Sequence, residues 1–291
     1  MSKTVERVIL VAVMILSGGV YYFLLQNQPK EISLTEPPVR TISIKKLDAL
    51  DFSKYKSFGA VNFSRNGKHV FYIANINENP GLFEGKVIID GKESSCSLLQ
   101  PINFSPIDER VICGPETAEL KDKDQQPQSI KSEKAHKLQK GNKEIMIIDG
   151  VEGKEYGKVF EPAISPNDRY VAYVARQGTD YFVVFNDQES KPYAVIEGSL
   201  AGSPEVIFSP DSSKFAYVAR IKDKVHYNGR ETDILLDTVV INGQEGQRYS
   251  NISNLSFGAD GQSLSYGAVA TVGENNVLKD NDILWVTETL N

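Results

Sequence analysis

Apolar residues along most of this chain come in short runs broken by polar turns, and the runs repeat. VIFSPDSSKFAYVAR (Val206 to Arg220) and AISPNDRYVAYVAR (Ala163 to Arg176) are nearly the same phrase. Three looser copies are VNFSRNGKHVFYIAN (Val61 to Asn75), INFSPIDERVICG (Ile102 to Gly114) and LSFGADGQSLSYGAV (Leu255 to Val269). Each reads as a short apolar strand, a turn and a second strand. In Ser209-Pro210-Asp211 the proline presets the backbone for the first central turn position, and Ser and Asp can bond back onto nearby amides. After the turn, Phe215, Tyr217 and Ala219 fall on one face and Ala216 and Val218 on the other. Both faces are apolar, so this strand must be covered on both sides.

A second pattern follows the first four phrases in chain order. KVIIDGKE (Lys86 to Glu93), IMIIDGVEGKEY (Ile145 to Tyr156), FVVFNDQESKPY (Phe182 to Tyr193) and TVVINGQEGQRY (Thr238 to Tyr249) each carry an apolar strand into Asp-Gly, Asn-Asp or Asn-Gly and out along a more polar strand. Asp-Gly and Asn-Gly accept the positive φ of a tight hairpin. The unit is therefore four antiparallel strands, and a repeat of 40 to 50 residues built this way marks a β-propeller. The expected fold is all-β, a five-bladed β-propeller of four-stranded blades over residues 41–291, with blades beginning near 61, 102, 163, 206 and 255. The run TISIK (Thr41 to Lys45) is expected to pair beside ILWVT (Ile283 to Thr287), completing the last blade and closing the ring.

Ser-Pro-Asp followed by a Phe-Ala-Tyr strand resembles the PD40, or WD40-like, repeat family, whose repeats build TolB-type periplasmic propellers and those of prolyl-oligopeptidase-like enzymes. The resemblance covers roughly residues 55 to 290. It implies the propeller and says little about function. The chain departs from the TolB type in having no α/β domain ahead of the repeats.

In that place stands VILVAVMILSGGVYYFLL, Val8 to Leu25, uncharged and just long enough to cross a bilayer. Lys3 and Arg7 precede it, and Tyr21 and Tyr22 sit near its far end. This favours a cytoplasmic stub (1–7), a transmembrane signal anchor (8–25) and an extracytoplasmic remainder, periplasmic or at the cell surface. A cleaved signal peptide is the competing reading, but no small-x-small site follows Leu25. Residues 26–40, with three prolines, read as an extended tether.

Composition adds exclusions. The 291 residues carry a net charge of −6 with no concentrated basic face, which argues against nucleic acid as a partner. No Gly-x-Ser-x-Gly, phosphate loop or His-Glu-x-x-His is present, and His69, His136 and His226 lack metal-ligand spacing. No cofactor, metal site or catalytic residue is expected. Cys96 falls in an outer strand of one unit and Cys113 in the second strand of the next; strands so placed lie beyond disulfide reach, so the two are expected not to bridge.

The longest irregular segments, Pro115 to Asn142, Ile221 to Asp233 and Thr271 to Asp282, all join a second strand to a third. Strand alternation puts those connections on one rim, the upper face, and repeat proteins often bind there. Arg176 and Arg220, at equivalent positions reaching that rim, and His226 and Tyr227 in the second insertion are the candidate binding residues. The expected function is a membrane-anchored propeller that binds a protein or cell-envelope partner through this face, and it is not expected to be an enzyme. The alternatives are a carbohydrate-active enzyme with a carboxylate pair in the funnel, drawn from Glu116, Asp180, Asp223 and Glu231, or a structural envelope subunit.

Overall fold

A computed structural model of the chain describes residues 39–77, 84–105, 108–114, 134–198, 203–227, 230–270 and 281–290. The segment 8–25, most of the tether and the insertion residues 115–133 and 271–280 lie outside the described residues. No helix among the described residues is long and apolar enough to cross a membrane. Their regular structure is all β, and every strand pairing is antiparallel.

Strand β1 (Arg40–Ala49) leads the described chain. Sheet I follows: β2 (Ser57–Phe58) and β3 (Asn62–Phe63) both pair with β4 (Val70–Asn75), which is followed outward by β5 (Gly85–Ile89) and β6 (Lys92–Ser94). Sheet II is the pair β7 (Ile102–Phe104) and β8 (Val111–Cys113). Sheet III is β9 (Ala135–Lys140), β10 (Lys143–Ile148) and β11 (Val151–Glu152). Sheet IV places β12 (Lys158–Val159) and β13 (Ala163–Ile164) against β14 (Val171–Gln177), then β15 (Asp180–Phe185) and β16 (Gln188–Glu189). Sheet V repeats this with β17 (Val195–Ile196), β18 (Ile207–Phe208), β19 (Phe215–Tyr227), β20 (Arg230–Ile241) and β21 (Gln244–Tyr249). Sheet VI is β22 (Asn251–Phe257), β23 (Ser263–Val269), β24 (Asp282–Leu290) and, beyond β24, β1.

The anticipated pairing of the N-terminal run with the last strand is present, longer than expected. Ser43 lies opposite Thr287 and Lys45 opposite Trp285, and the ladder runs from Arg40 to Ala49. Arg40 secures it from the far end. Its guanidinium donates to the fully buried Glu288 and to the carbonyls of Gln244 (3.4 Å) and Val239 (3.3 Å) in sheet V, while Tyr266 donates to the same carboxylate at 2.7 Å.

The four-strand unit needs three corrections. First, the leading strand of sheets I, IV and V is in two pieces, so it starts well before the repeated phrase: at Ser57, Lys158 and Val195. In sheet IV the break falls at Pro162, which has no N–H for the ladder. Second, the second unit is split. Ile148 pairs with Ala135 as Phe185 pairs with Ala172, so β9 occupies the place beside β10 that the repeat assigns to β8. Part of the supposed loop 115–142 is therefore a strand. Third, Ile221 to Asp233 is not irregular. β19 and β20 run on together, unbroken, from Ala216 opposite Ile241 to Tyr227 opposite Arg230.

Sheets III, IV, V, VI and I stack face to face in that order. Tyr173 and Ala175 pack with Ala135, Met146 and Tyr156 between sheets III and IV. Ala172 and Val174 meet Phe215, Tyr217 and Ala219 between IV and V; Ala216 and Val218 meet Leu264, Tyr266 and Ala268 between V and VI. Val269 and Ile283 meet Phe63, Val70 and Tyr72 between VI and I. The alternation expected of the second strand is thus realised, with alanines admitting the neighbouring sheet and aromatic rings filling toward it. Between I and II, Phe71 and Phe104 rings lie 5.1 Å apart, and Cys96 is disulfide-bonded to Cys113, with 5.7 Å between Cα atoms. That overturns the expectation of two separate cysteines. Cys96 lies beyond the end of β6, in the connection leading to β7, and this connection carries it back to sheet II.

Candidate functional site

Arg220 is the last β19 residue with a partner on both sides, Val195 in β17 and Asp237 in β20. On the other flank of β20, pairing with β21 ends at Asp237 opposite Tyr249. Beyond this point the Ile221–Tyr227 stretch ladders only with Arg230–Leu236, so the two strands run past the rest of the sheet as a two-stranded ribbon whose base, at Ile221, Ile234 and Leu236, packs into the core shared with sheet IV. Its surface is polar: Lys224 pairs with Glu231 at 2.8 Å, Asp223 with Arg248 at 2.6 Å, and Leu235 is half exposed. His226 and Tyr227 lie at the ribbon's tip, opposite Glu231 and Arg230.

The ribbon is rooted in a buried charge cluster. Asp237 is fully buried and takes Arg220 Nε at 2.8 Å and Nη2 at 3.2 Å, a two-pronged pairing, together with the Ile252 amide at 3.1 Å. The remaining guanidinium nitrogen, Nη1, reaches Glu197 at 3.0 Å. Burial pushes the Glu197 carboxyl above its ordinary range; Arg220 opposes this and Asp237 adds to it. The pairing with Asp237 raises Arg220 further still.

Glu197 also lines a cavity of about 680 Å³ where the leading strands of sheets I, V and VI come together. Val61, Ile207, Val218 and Leu255 form its apolar wall, and Glu197 and Glu205 bring carboxylates to it. At this wall β22 is irregular: its register slips between Ser253 and Ser256, and Asn254 has φ +56°. Such a bulge re-aims side chains. Asn254 turns to donate to the Phe63 carbonyl of sheet I.

The sequence-predicted residues fare differently from one another. Arg176 and Arg220 do hold equivalent places, opposite Lys158 and Val195 at the start of each leading strand. Arg176 is exposed, with its guanidinium 5.9 Å from the Tyr181 ring centre, whereas Arg220 is committed to two carboxylates. Neither is brought together with His226 or Tyr227, which sit at the other end of the ribbon from Arg220. Of the carboxylates considered for catalysis, Asp223 and Glu231 are occupied on the ribbon, Asp180 is exposed at the start of β15, and Glu116 lies outside the described residues. His69 pairs with Asp90 at 2.9 Å, His136 is exposed on β9, and no group of His, Cys, Asp and Glu among the described residues could hold a metal ion. Sequence reasoning missed Glu197, Asp237 and Glu205. A buried acid inside an apolar run, as in LLDTVV around Asp237, was the one available signal.

No family model matches the chain, and no curated protein matches it either. The likeness to PD40 repeats therefore rests on the repeated phrases. Among solved structures, the chain is similar to one described as a 6-phosphogluconolactonase from Bacteroides uniformis: 12% identity, 77% of this chain and 84% of that one covered, TM-score 0.22. It is also similar to hydrazine synthase from Kuenenia stuttgartiensis: 12% identity, 78% of this chain and 61% of that one, TM-score 0.25. Likeness this slight carries no argument about fold or activity.

Proposed function

We propose that this chain is a membrane-anchored, extracytoplasmic five-bladed propeller that binds a protein or cell-envelope partner through the face from which the β19–β20 ribbon projects. The uncharged run Val8 to Leu25 would supply the anchor, with the proline-bearing tether holding the propeller off the membrane. Face-to-face stacking of successive sheets supports the radial arrangement, with sheets II and III serving as one divided blade.

The ribbon carries this reading. A two-stranded hairpin alone is marginal in water; here Ile221, Ile234 and Leu236 pack the base against the core, and the ribbon beyond presents strand edges to a partner. Its root, in contrast, is held by Arg220 and Asp237. A polar, projecting element on a rigid base suits partner capture by added strand pairing.

Photo-crosslinking in intact cells tests it. A crosslinkable residue at Lys222 or Leu235 is expected to trap one and the same partner, and a residue at Asp168, in the turn before β14 at the opposite end of its sheet, is expected to trap none. Shortening the ribbon by joining Ile221 to Leu236 through a tight turn should abolish capture with folding intact. The reading fails if the ribbon sites trap nothing, or if capture is the same from Asp168.

A further inference from the structure

We propose that the cavity between sheets I, V and VI is a receptor site for an aliphatic cation, an ammonium or guanidinium group carried on a hydrocarbon stem. The cavity is the size of a small-ligand site and lies beside the root of the ribbon, where Arg220 reaches Glu197 on its wall. Two properties of its wall select this chemistry.

The first is charge. Glu197 and Glu205 both line the cavity, Asp237 shares Arg220 with Glu197, and no lysine or arginine is among the described lining residues. Glu197 and Asp237 share one guanidinium, and Glu205 adds a further carboxylate to the cavity. Arg220 gives two of its nitrogens to Asp237 and a single one to Glu197, so Glu197 is the carboxylate left short of positive charge. An incoming cation completes it, and an anion is repelled. Glu205 is exposed at the mouth, with its amide bonded to the Glu197 carbonyl at 3.2 Å, so the two residues lie on adjoining backbone.

The second is the stem. Val61, Ile207, Val218 and Leu255 form an apolar stretch of wall that cannot hydrate a bare ion but covers methylene groups well. Polar residues remain for the head group: Asn62, Asn251 and Asn254 also line the cavity, and an amide oxygen can accept from an ammonium or guanidinium donor.

The same cation could arrive free or as a lysine or arginine side chain on a peptide, and the test separates these sources. Ligand-observed NMR titrations of the full-length chain in detergent would compare n-butylammonium, n-butanol and butyrate, which share a stem, and capped Gly-Lys-Gly. Butylammonium is expected to bind about fivefold more tightly than butanol, with butyrate weakest. Glu197→Gln and, separately, Glu205→Gln should each remove most of that preference while Arg176→Ala leaves it unchanged. Thermal melting verifies that each variant is folded, and Glu205 on the exposed rim provides a variant with little structural role. Tighter binding of the peptide assigns the site to a side chain, and binding of butylammonium alone assigns it to a free amine. Equal affinity for butanol and butylammonium, or unchanged preference in both Gln variants, overturns the proposal.

Discussion

The repeated serine of the phrase explains why the turns recur. Ser64, Ser165 and Ser209 are all buried, and each hydroxyl accepts the amide five residues on: His69 at 3.0 Å, Tyr170 at 2.9 Å and Lys214 at 2.9 Å. Ser209 donates in turn to Asp211 at 2.6 Å, and Asp211 also holds the Ser213 amide at 3.0 Å. One small side chain therefore ties the whole turn to the strand after it. Removing it leaves a buried amide without a partner, which costs about 1–3 kcal/mol. Ser209→Ala should lower stability by that amount in urea melts, with the slope of the transition unchanged; a change below 0.5 kcal/mol, within the range of ordinary surface substitutions, would show that the turn holds by backbone alone. The position of these serines was legible from the phrase, since Ser two residues ahead of Asn or Asp is turn chemistry. Their burial was not, because it depends on the neighbouring sheet closing over them.

At the scale of elements, the pairing of β1 with β24 was readable because TISIK alternates and the last unit lacks a strand. What holds it was not readable: Arg40, at the end of the tether, reaches a glutamate 248 positions away. Glu288 is fully buried and shared by Arg40 and Tyr266, so removing the guanidinium strands a buried carboxylate. Arg40→Ala should cost about 3 kcal/mol. Hydrogen exchange is expected to show β1 amides losing protection before those of β23; uniform loss across sheet VI would mean that β1 is held by its ladder alone. The ribbon is the converse case. Ile221 to Asp233 is rich in charge, which read as irregular loop, yet DKVHY alternates with ETDIL across a hairpin, and only pairing between the two segments reveals the strand.

For the molecule as a whole, few described contacts join sheets I and II. Sheet II contributes two short strands, and the described contacts that tie it to sheet I are the Phe71–Phe104 ring pair, the Asn66 amide donating to Glu109 at 2.6 Å and the disulfide. A bridge over a sequence separation of 17 contributes about 3 kcal/mol on the loop-closure model. Cys96→Ser/Cys113→Ser, or reduction, should therefore lower the thermal midpoint and expose the region around β7 and β8 to protease while sheets IV and V stay protected. Equal midpoints with and without reductant would remove the disulfide from this role. The repeat in this sequence determined, by itself, that the protein is built of antiparallel sheets whose second strands are covered on both faces, because strand alternation and turn chemistry are local. Tertiary structure alone decided that Cys96 meets Cys113, that β9 displaces β8 beside β10, and that Glu197, Arg220 and Asp237 converge beside a cavity. Those outcomes depend on how close separate sheets come, and no stretch of neighbouring residues encodes that distance.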